Sequence, residues 1–510
     1  MSKLKSTLSI FLILVLLFVP LGSLNASASV SCNCGKAPII FVNGMNSIPL
    51  TRNLGMEDQE QLFPPSEQIF AKAIGEAALP LASKFLTQGL DGAADVIVDA
   101  VGQIFDGLAC EDNGDLPYGQ GVDWAFPQIH MPHNDEYTFY YDWRQDPFIS
   151  AAQLAEYVDY VKANTGHDKV SLIGFSMGGI VLNTYLYTLN GDYSSLQSVL
   201  MEVSAANGAA IAAEPFSGKV KLDSKALVRL IDDQFRLRDS IEGLLGAALG
   251  ILDESGLFEL PFRYLNGLID QYADKVYDEV LAEIFGSMPG VWAAVTDEHY
   301  EAAKAKLLPD KVRYAKLIER IDNYHDNVLK NSNRIALDLY NNPDVNFAVL
   351  CKYNRQVAPL IDSMDISSDG TVDTLSASYG ATCADLGKTL GKDYLQALPH
   401  DGQNYLSADN LIDASTCTVA DATWFIRDLE HSTFCNYRNE LIDYILSSQE
   451  QVSVFDREDF PQFAYYDGND AFPINEKSET DPFDVLKQLG LSDAYFALIT
   501  RTLILLSNLT

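Results

Sequence analysis

The sequence predicts an α/β fold: a mostly parallel central sheet, helices on both of its faces, and a long helical insertion. Three observations support this. Short apolar, β-branched runs alternate with stretches of helical periodicity through the first part of the chain. Those runs are apolar throughout rather than alternating, as strands buried on both faces must be. One of them, Lys169 to Phe175, runs into Gly174-Phe175-Ser176-Met177-Gly178 and then directly into a helix-like stretch. That strand–turn–helix context is where Gly-x-Ser-x-Gly forms a nucleophile elbow.

In chain order, Ala37 to Val42 reads as a buried strand that stops at the turn-forming cluster Asn43-Gly44-Met45-Asn46. Residues 66 to 110 read as a lid-like helical insertion, with Phe70, Ile74, Leu81 and Phe85 at one-face spacing. Thr138 to Tyr141 reads as the next strand. Ser150 to Asn164 reads as a helix with Leu154, Tyr157, Val158 and Val161 on one side. The elbow strand and its helix follow, then a strand from Ser198 to Val203. Residues 36–206 are therefore the first part of the core.

Residues 207–344 are predicted to be a helical cap over the sheet's carboxyl edge, with Leu230, Leu244, Leu245 and Leu249 at helical intervals. An independent helical domain is the alternative. Strand signals return at Val345 to Tyr353 and at Val452 to Phe455. We place the second part of the core at 345–450 and a C-terminal extension at 451–510, where Phe496 to Leu506 reads as a packed helix interrupted by Arg501.

The N-terminus predicts export. Lys3 and Lys5 precede the apolar run Leu8 to Val19, and Ala26-Ser27-Ala28 offers small residues for cleavage. The run is short for a membrane anchor, so residues 1–28 are expected to be a cleaved signal peptide and the chain secreted, with no integral membrane segment afterwards. A lipid-modified Cys32 fits less well, because Ser29-Val30-Ser31 lacks the usual leucine. A formal net charge of −35 disfavours nucleic acid and anionic lipid as electrostatic partners. Seven cysteines leave at least one without an internal partner, and Cys32-x-Cys34 is too sparse for a zinc site. No metal or cofactor is expected.

A serine nucleophile needs a base, and the base needs an orienting acid. In sheets of this type they follow the serine in the order acid, then histidine. With Ser176 as nucleophile, Asp369 is the leading acid, in a Gly-containing loop after the Val345 to Tyr353 strand; Asp362, Asp365 and Asp373 compete. The same loop lacks the closing glutamate of a calcium site. Two histidines follow Asp369. His431 comes after the strand-like Trp424-Phe425-Ile426, whereas His400 sits in a turn beside Pro399. His431 is the expected base. For a developing oxyanion, the expected donors are the backbone N–H groups of Met177 and Met45, the latter next to Gly44 after the first strand.

These residues match a family pattern. Tyr141-Asp142-Trp143-Arg144, then a helix, then Gly-Phe-Ser-Met-Gly-Gly, resembles the lecithin:cholesterol acyltransferase family of lipases and acyltransferases. Asp369-Gly370-Thr371-Val372 looks like that family's acid-bearing motif, which favours Asp369 over its neighbours. Trp424-Phe425-Ile426 looks like its approach to the histidine. Ser287-Met288-Pro289-Gly290-Val291-Trp292 is similar to a segment of its cap. The likeness spans about Pro38 to Tyr444, although the loop Asn43-Gly44-Met45 lacks a proline common there. The resemblance implies an α/β-hydrolase core, a helical cap and a lid near an N-terminal disulfide, for which Cys32 or Cys34 with Cys110 is the candidate pairing.

The function expected is a secreted serine acyl-ester hydrolase acting on lipid or other acyl esters, including substrate at a membrane or micelle surface. Hydrolysis and acyl transfer share this chemistry, and hydrolysis is the simpler expectation. The alternatives are a non-lipid esterase or peptidase, and a binding protein that keeps the scaffold without turnover.

Overall fold

The computed structural model describes residues 37–474, apart from 89, 128–135, 359–360, 400–401 and most of 222–276. The expected signal peptide, Cys32, Cys34, His400, the leucines from Leu244 to Leu249 and the tail helix lie outside the described residues.

Eight strands form the central sheet in the order β13-β12-β11-β8-β7-β6-β1-β5. They are β1 Ile39–Val42, β5 Glu136–Phe139, β6 Val170–Phe175, β7 Leu196–Glu202, β8 Asn346–Tyr353, β11 Thr423–Arg427, β12 Phe463–Tyr466 and β13 Ala471–Pro473. Every pairing is parallel except β12 with β13. A side sheet holds β2 Leu50–Arg52, β3 Glu60–Phe63 and β4 Gly121–Val122, and β9 Thr382–Cys383 pairs with β10 Ile412–Asp413.

Both faces of the central sheet are buried, which explains the unbroken apolar runs. Side chains alternate across it with the two-residue period of a strand. Leu172, Val199 and Val349 point into one cluster; Ile173, Leu200 and Leu350 point into the other. Helices α3 Pro147–Thr165 and α4 Gly178–Thr188 supply Leu154, Tyr157, Val158, Val161, Val181 and Leu182 to the first. Helix α9 Asn436–Ser447 covers the second with Leu441, Ile442 and Ile445. This is the expected α/β architecture. The helix expected at Ser150 to Asn164 begins earlier, at Pro147, because Asp146 caps it by accepting from the Phe148 N–H at 2.9 Å.

The lid-like segment forms two helices, α1 Glu67–Gln88 and α2 Leu90–Phe105, packed against each other. The described part of the later insertion has a small core of its own. Phe216 from α5 Ala210–Phe216 packs there with Trp292, Tyr300 and Leu307, the last two on α6 Asp297–Leu307, and with Leu317 and Ile321 of α7 Ala315–Asn327. Val280, Ile284, Met288 and Ala293 join the main core cluster instead.

Two boundaries and one strand differ from expectation. Helix α8 Ser332–Tyr340 packs on α4 and leads into β8, so the core resumes before residue 345. Val452 to Phe455 is not a strand. The Val452 N–H donates to the side-chain Oδ1 of Asn346, at the start of β8, and the Val454 N–H to the Asp421 carbonyl in the turn before β11, so the segment joins no main-chain ladder. The central sheet runs on through β12 and β13, past residue 450.

Residues Tyr141 to Arg144 are a structural junction. Asp142 and Arg144 are fully buried and paired, with Nη2–Oδ2 at 2.7 Å and Nε–Oδ1 at 3.0 Å. Arg144 Nη1 also donates to the Leu108 carbonyl at 3.1 Å, just beyond α2. Gly290 sits against the same loop. A Cβ there would stand 2.0 Å from the Trp143 carbonyl oxygen, and its N–H donates to the Arg144 carbonyl at 3.0 Å. Among the described residues no helix is long and apolar enough to cross a membrane.

Removing one partner of a buried ion pair leaves the other charge uncompensated. Arg144→Ala is expected to cost about 3–5 kcal/mol of unfolding free energy, read from urea denaturation.

Candidate active site

The chain reverses its direction of travel across the sheet between β1 and β6. From β1 it moves to the edge strand β5, returns to β6, and then proceeds the other way through β7 and β8. In open α/β sheets the crevice at such a switch point, at the carboxyl ends of the strands, is where ligands bind. The loops after β1 and β6 meet there.

Ser176 follows β6 with φ at 56°, a left-handed conformation that a serine adopts only when its surroundings enforce it. Its N–H donates to the Glu202 carbonyl at 3.1 Å, and its carbonyl accepts from Gly179 at 3.0 Å and Ala205 at 3.1 Å. The two elbow glycines serve different contacts. A Cβ on Gly174 would stand 3.0 Å from the Gly179 Cα, which is the closeness of the two arms. A Cβ on Gly178 would stand 2.0 Å from the Val42 carbonyl oxygen, so that glycine lets α4 press on the end of β1.

The elements β6, β8 and β11 bring the three expected side chains together. His431 Nε2 lies 3.0 Å from Ser176 Oγ, and His431 Nδ1 lies 2.7 Å from Asp369 Oδ2. Asp369 is fully buried. Its other carboxylate oxygen accepts from the Thr371 N–H at 2.9 Å and the Val372 N–H at 2.8 Å. Its main-chain carbonyl accepts from the His431 N–H at 2.9 Å. The competing acids are engaged elsewhere. Asp373 caps a helical turn by accepting from Ser376 N–H at 2.9 Å, Asp365 pairs with Arg229 at 2.7 Å, and Asp362 lies 3.9 Å from Lys221.

Gly44 packs directly on the serine, since a Cβ there would stand 2.8 Å from Ser176 Cβ. The Gly44 carbonyl accepts from Ser47 Oγ at 3.0 Å. Met177 opens α4 at its N-terminus, where backbone N–H groups are free of helical partners. Both proposed donors, at Met45 and Met177, thus belong to segments that adjoin the serine. The hydroxyl is less open than the sequence suggested: Ser176 and His431 are each 7% exposed. The Phe175 ring lies 5.1 Å from the imidazole and 5.8 Å from the ring of Phe434. Among the described residues no group of His, Cys, Asp and Glu side chains could hold a metal ion. Among the described residues Cys110, Cys351, Cys383, Cys417 and Cys435 form no disulfide with one another, and burial pushes the Cys110 thiol up to about 12.

Sequence reasoning missed the charges beneath the site. Glu202 ends β7, is fully buried, and pairs with Arg438 of α9 through two hydrogen bonds, one of them Nε to Oε1 at 2.7 Å. Burial acts to raise the Glu202 carboxyl, but the charge and hydrogen bonds of Arg438 and the charge of Lys352 hold it below the ordinary value. The available signal was a charged residue directly after the apolar run Val199-Leu200-Met201 of a strand.

No family model matches the chain, and no curated protein sequence matches it. Among solved structures, the crystal structure of the Tle4–Tli4 complex is similar, with a TM-score of 0.29 and 12% identity over 64% of this chain and 77% of that chain.

A depressed carboxyl adds stability above its unfolded value, about pH 4.3, and loses it as pH falls through the folded value. Glu202→Gln is expected to be destabilised by about 3–5 kcal/mol at pH 7. The gap from the native chain should narrow below about pH 4, as urea unfolding from pH 7 to pH 3 would measure.

Proposed function

We infer that the chain is an exported serine acyl-ester hydrolase acting on lipid esters through an acyl-enzyme at Ser176. The observation that carries this reading is the relay from Ser176 Oγ to His431 Nε2 at 3.0 Å and from His431 Nδ1 to Asp369 Oδ2 at 2.7 Å. A hydroxyl, an imidazole and a carboxylate in that order form the arrangement that activates a serine.

The chemistry follows from the geometry. Ser176 Oγ attacks the ester carbonyl as His431 Nε2 takes its proton. Asp369 holds the Nδ1–H tautomer and stabilises the imidazolium that forms, its own second oxygen fixed by two backbone N–H groups. The Met177 and Met45 N–H groups receive the oxyanion, aided by the dipole of α4. His431 then returns the proton to the leaving alcohol. Water attacks the acyl-enzyme by the same route, or an alcohol takes the acyl group where the cap excludes water.

Two features support a lipid substrate over a small ester. The first is the resemblance to the lecithin:cholesterol acyltransferase family. The second is the apolar surface of α1, where Leu79 and Leu86 are 81% and 83% exposed.

A fluorophosphonate probe should label the native chain and fail to label Ser176→Ala; labelling that persists would place the nucleophile elsewhere. Ser176→Ala and His431→Ala should each lower turnover on the order of 10⁴–10⁶-fold with folding unchanged, and Asp369→Asn on the order of 10⁴-fold. Incubation with mixed phospholipids and glycerides, with and without a long-chain alcohol, should release free fatty acid, and any ester of the added alcohol would show transfer. Turnover that peaks on acetyl esters and vanishes on long chains would replace the lipid by a small-ester substrate.

A further inference from the structure

Lys352 stands in β8 with its side chain fully buried, an unusual place for an ammonium. The Nζ donates to the carbonyl of Glu430 at 3.1 Å, of His431 at 2.7 Å and of Thr433 at 2.9 Å. An ammonium has three N–H bonds, so its donor capacity is met in full. All three bonds go to the loop that carries the imidazole. Burial holds the Lys352 ammonium below its ordinary value, the carboxylates of Glu202, Asp369 and Glu430 oppose that, and the second cation, Arg438, adds to it.

The choice of carbonyls is informative. The Glu430 carbonyl belongs to the peptide plane before His431, and the His431 carbonyl to the plane after it. Fixing two successive peptide planes fixes φ and ψ of the residue between them, and with these the direction of its Cα–Cβ bond. The loop between β11 and α9 has no sheet ladder to do this. Its other main-chain ties to the body of the site include the Asp428 N–H to the Tyr353 carbonyl and the His431 N–H to the Asp369 carbonyl, both at 2.9 Å, and Arg355 Nη1 to the Asp428 carbonyl at 3.4 Å.

We propose that Lys352 is a positioning residue: its ammonium pins the peptide planes on both sides of His431 and so holds the imidazole within hydrogen-bond reach of Ser176. It touches neither substrate nor the reacting atoms. The proposal rests on Ser176 and His431 being nucleophile and base.

Lys352→Met keeps the unbranched stem and removes every donor. The assay is p-nitrophenyl butyrate hydrolysis at 20 °C, with fold checked by circular dichroism and thermal unfolding. The control is Val349→Ala, a core truncation in the same strand. The expected result is a folded Lys352→Met chain whose kcat falls about 10- to 100-fold, with KM within about twofold. Fluorophosphonate labelling of Ser176 should slow in parallel, while Val349→Ala keeps the native kcat. Lys352→Gln, which retains two N–H bonds at shorter reach, should fall between. A folded Met or Gln chain with the native kcat overturns the proposal, as does a loss no larger than that of Val349→Ala. Failure of both Lys352 variants to fold, when Val349→Ala folds, overturns it too, by making the ammonium part of the fold itself. A native chain that neither hydrolyses the ester nor labels at Ser176 sinks the hydrolase reading instead, which separates the two failures.

Discussion

Ser176 and His431 are 255 residues apart in the chain and 3.0 Å apart in space, and a parallel sheet reconciles the two distances. Parallel strands end at one common edge, so the segments leaving β6, β8 and β11 emerge side by side however much chain separates them. The same arrangement creates a difficulty. Past the strand ends no ladder holds the backbone, yet the proposed chemistry requires the three side chains to hold their positions to within a fraction of an ångström. Each loop meets this in its own way: a left-handed residue wedged between glycines at 176, a carboxylate gathering two backbone N–H groups at 369, and an ammonium gathering three carbonyls around 431.

Burying charge for this purpose is costly in itself. Glu202, Arg438, Lys352, Asp142 and Arg144 all leave water on folding, and apolar groups of similar volume often serve stability as well or better. What apolar groups cannot do is distinguish one loop conformation from another. A guanidinium or an ammonium satisfied by named carbonyls permits one backbone path. These charges stand where strands and irregular loops meet at the carboxyl edge, where direction matters more than bulk.

Much of this was legible in the chain. Strands β1, β6, β7, β8 and β11 announce themselves as apolar runs because both of their faces are covered. The elbow is legible because three glycines and a serine at fixed spacing have few other uses beside a strand. Asp369 and His431 followed from chain order, reinforced by the resemblance, and the structure gives each rival acid another partner. The outer strands were harder to read. Strands β12 and β13 are short, and the second is antiparallel, so neither shows the long apolar run of a central strand. Val452 to Phe455 shows the opposite error: Val452 and Val454 pack on the core while their N–H groups bond to a side chain and a turn outside any ladder, a distinction composition does not carry. Lys352 was invisible for a related reason. A lysine in an apolar run gives no sign of which carbonyls it will meet, because they come from 78 to 81 residues further on.

The junction at Tyr141 to Arg144 has a mechanical side. Arg144 moors the segment following α2 through the Leu108 carbonyl, and the turn at Gly290 rests on the same four residues from the other flank. One insertion departs before the elbow and the other after it, yet both are fastened to a single rivet. The Arg144 guanidinium holds the first insertion and the Arg144 main-chain carbonyl accepts from the second, so displacing either one strains the short loop on which the other rests.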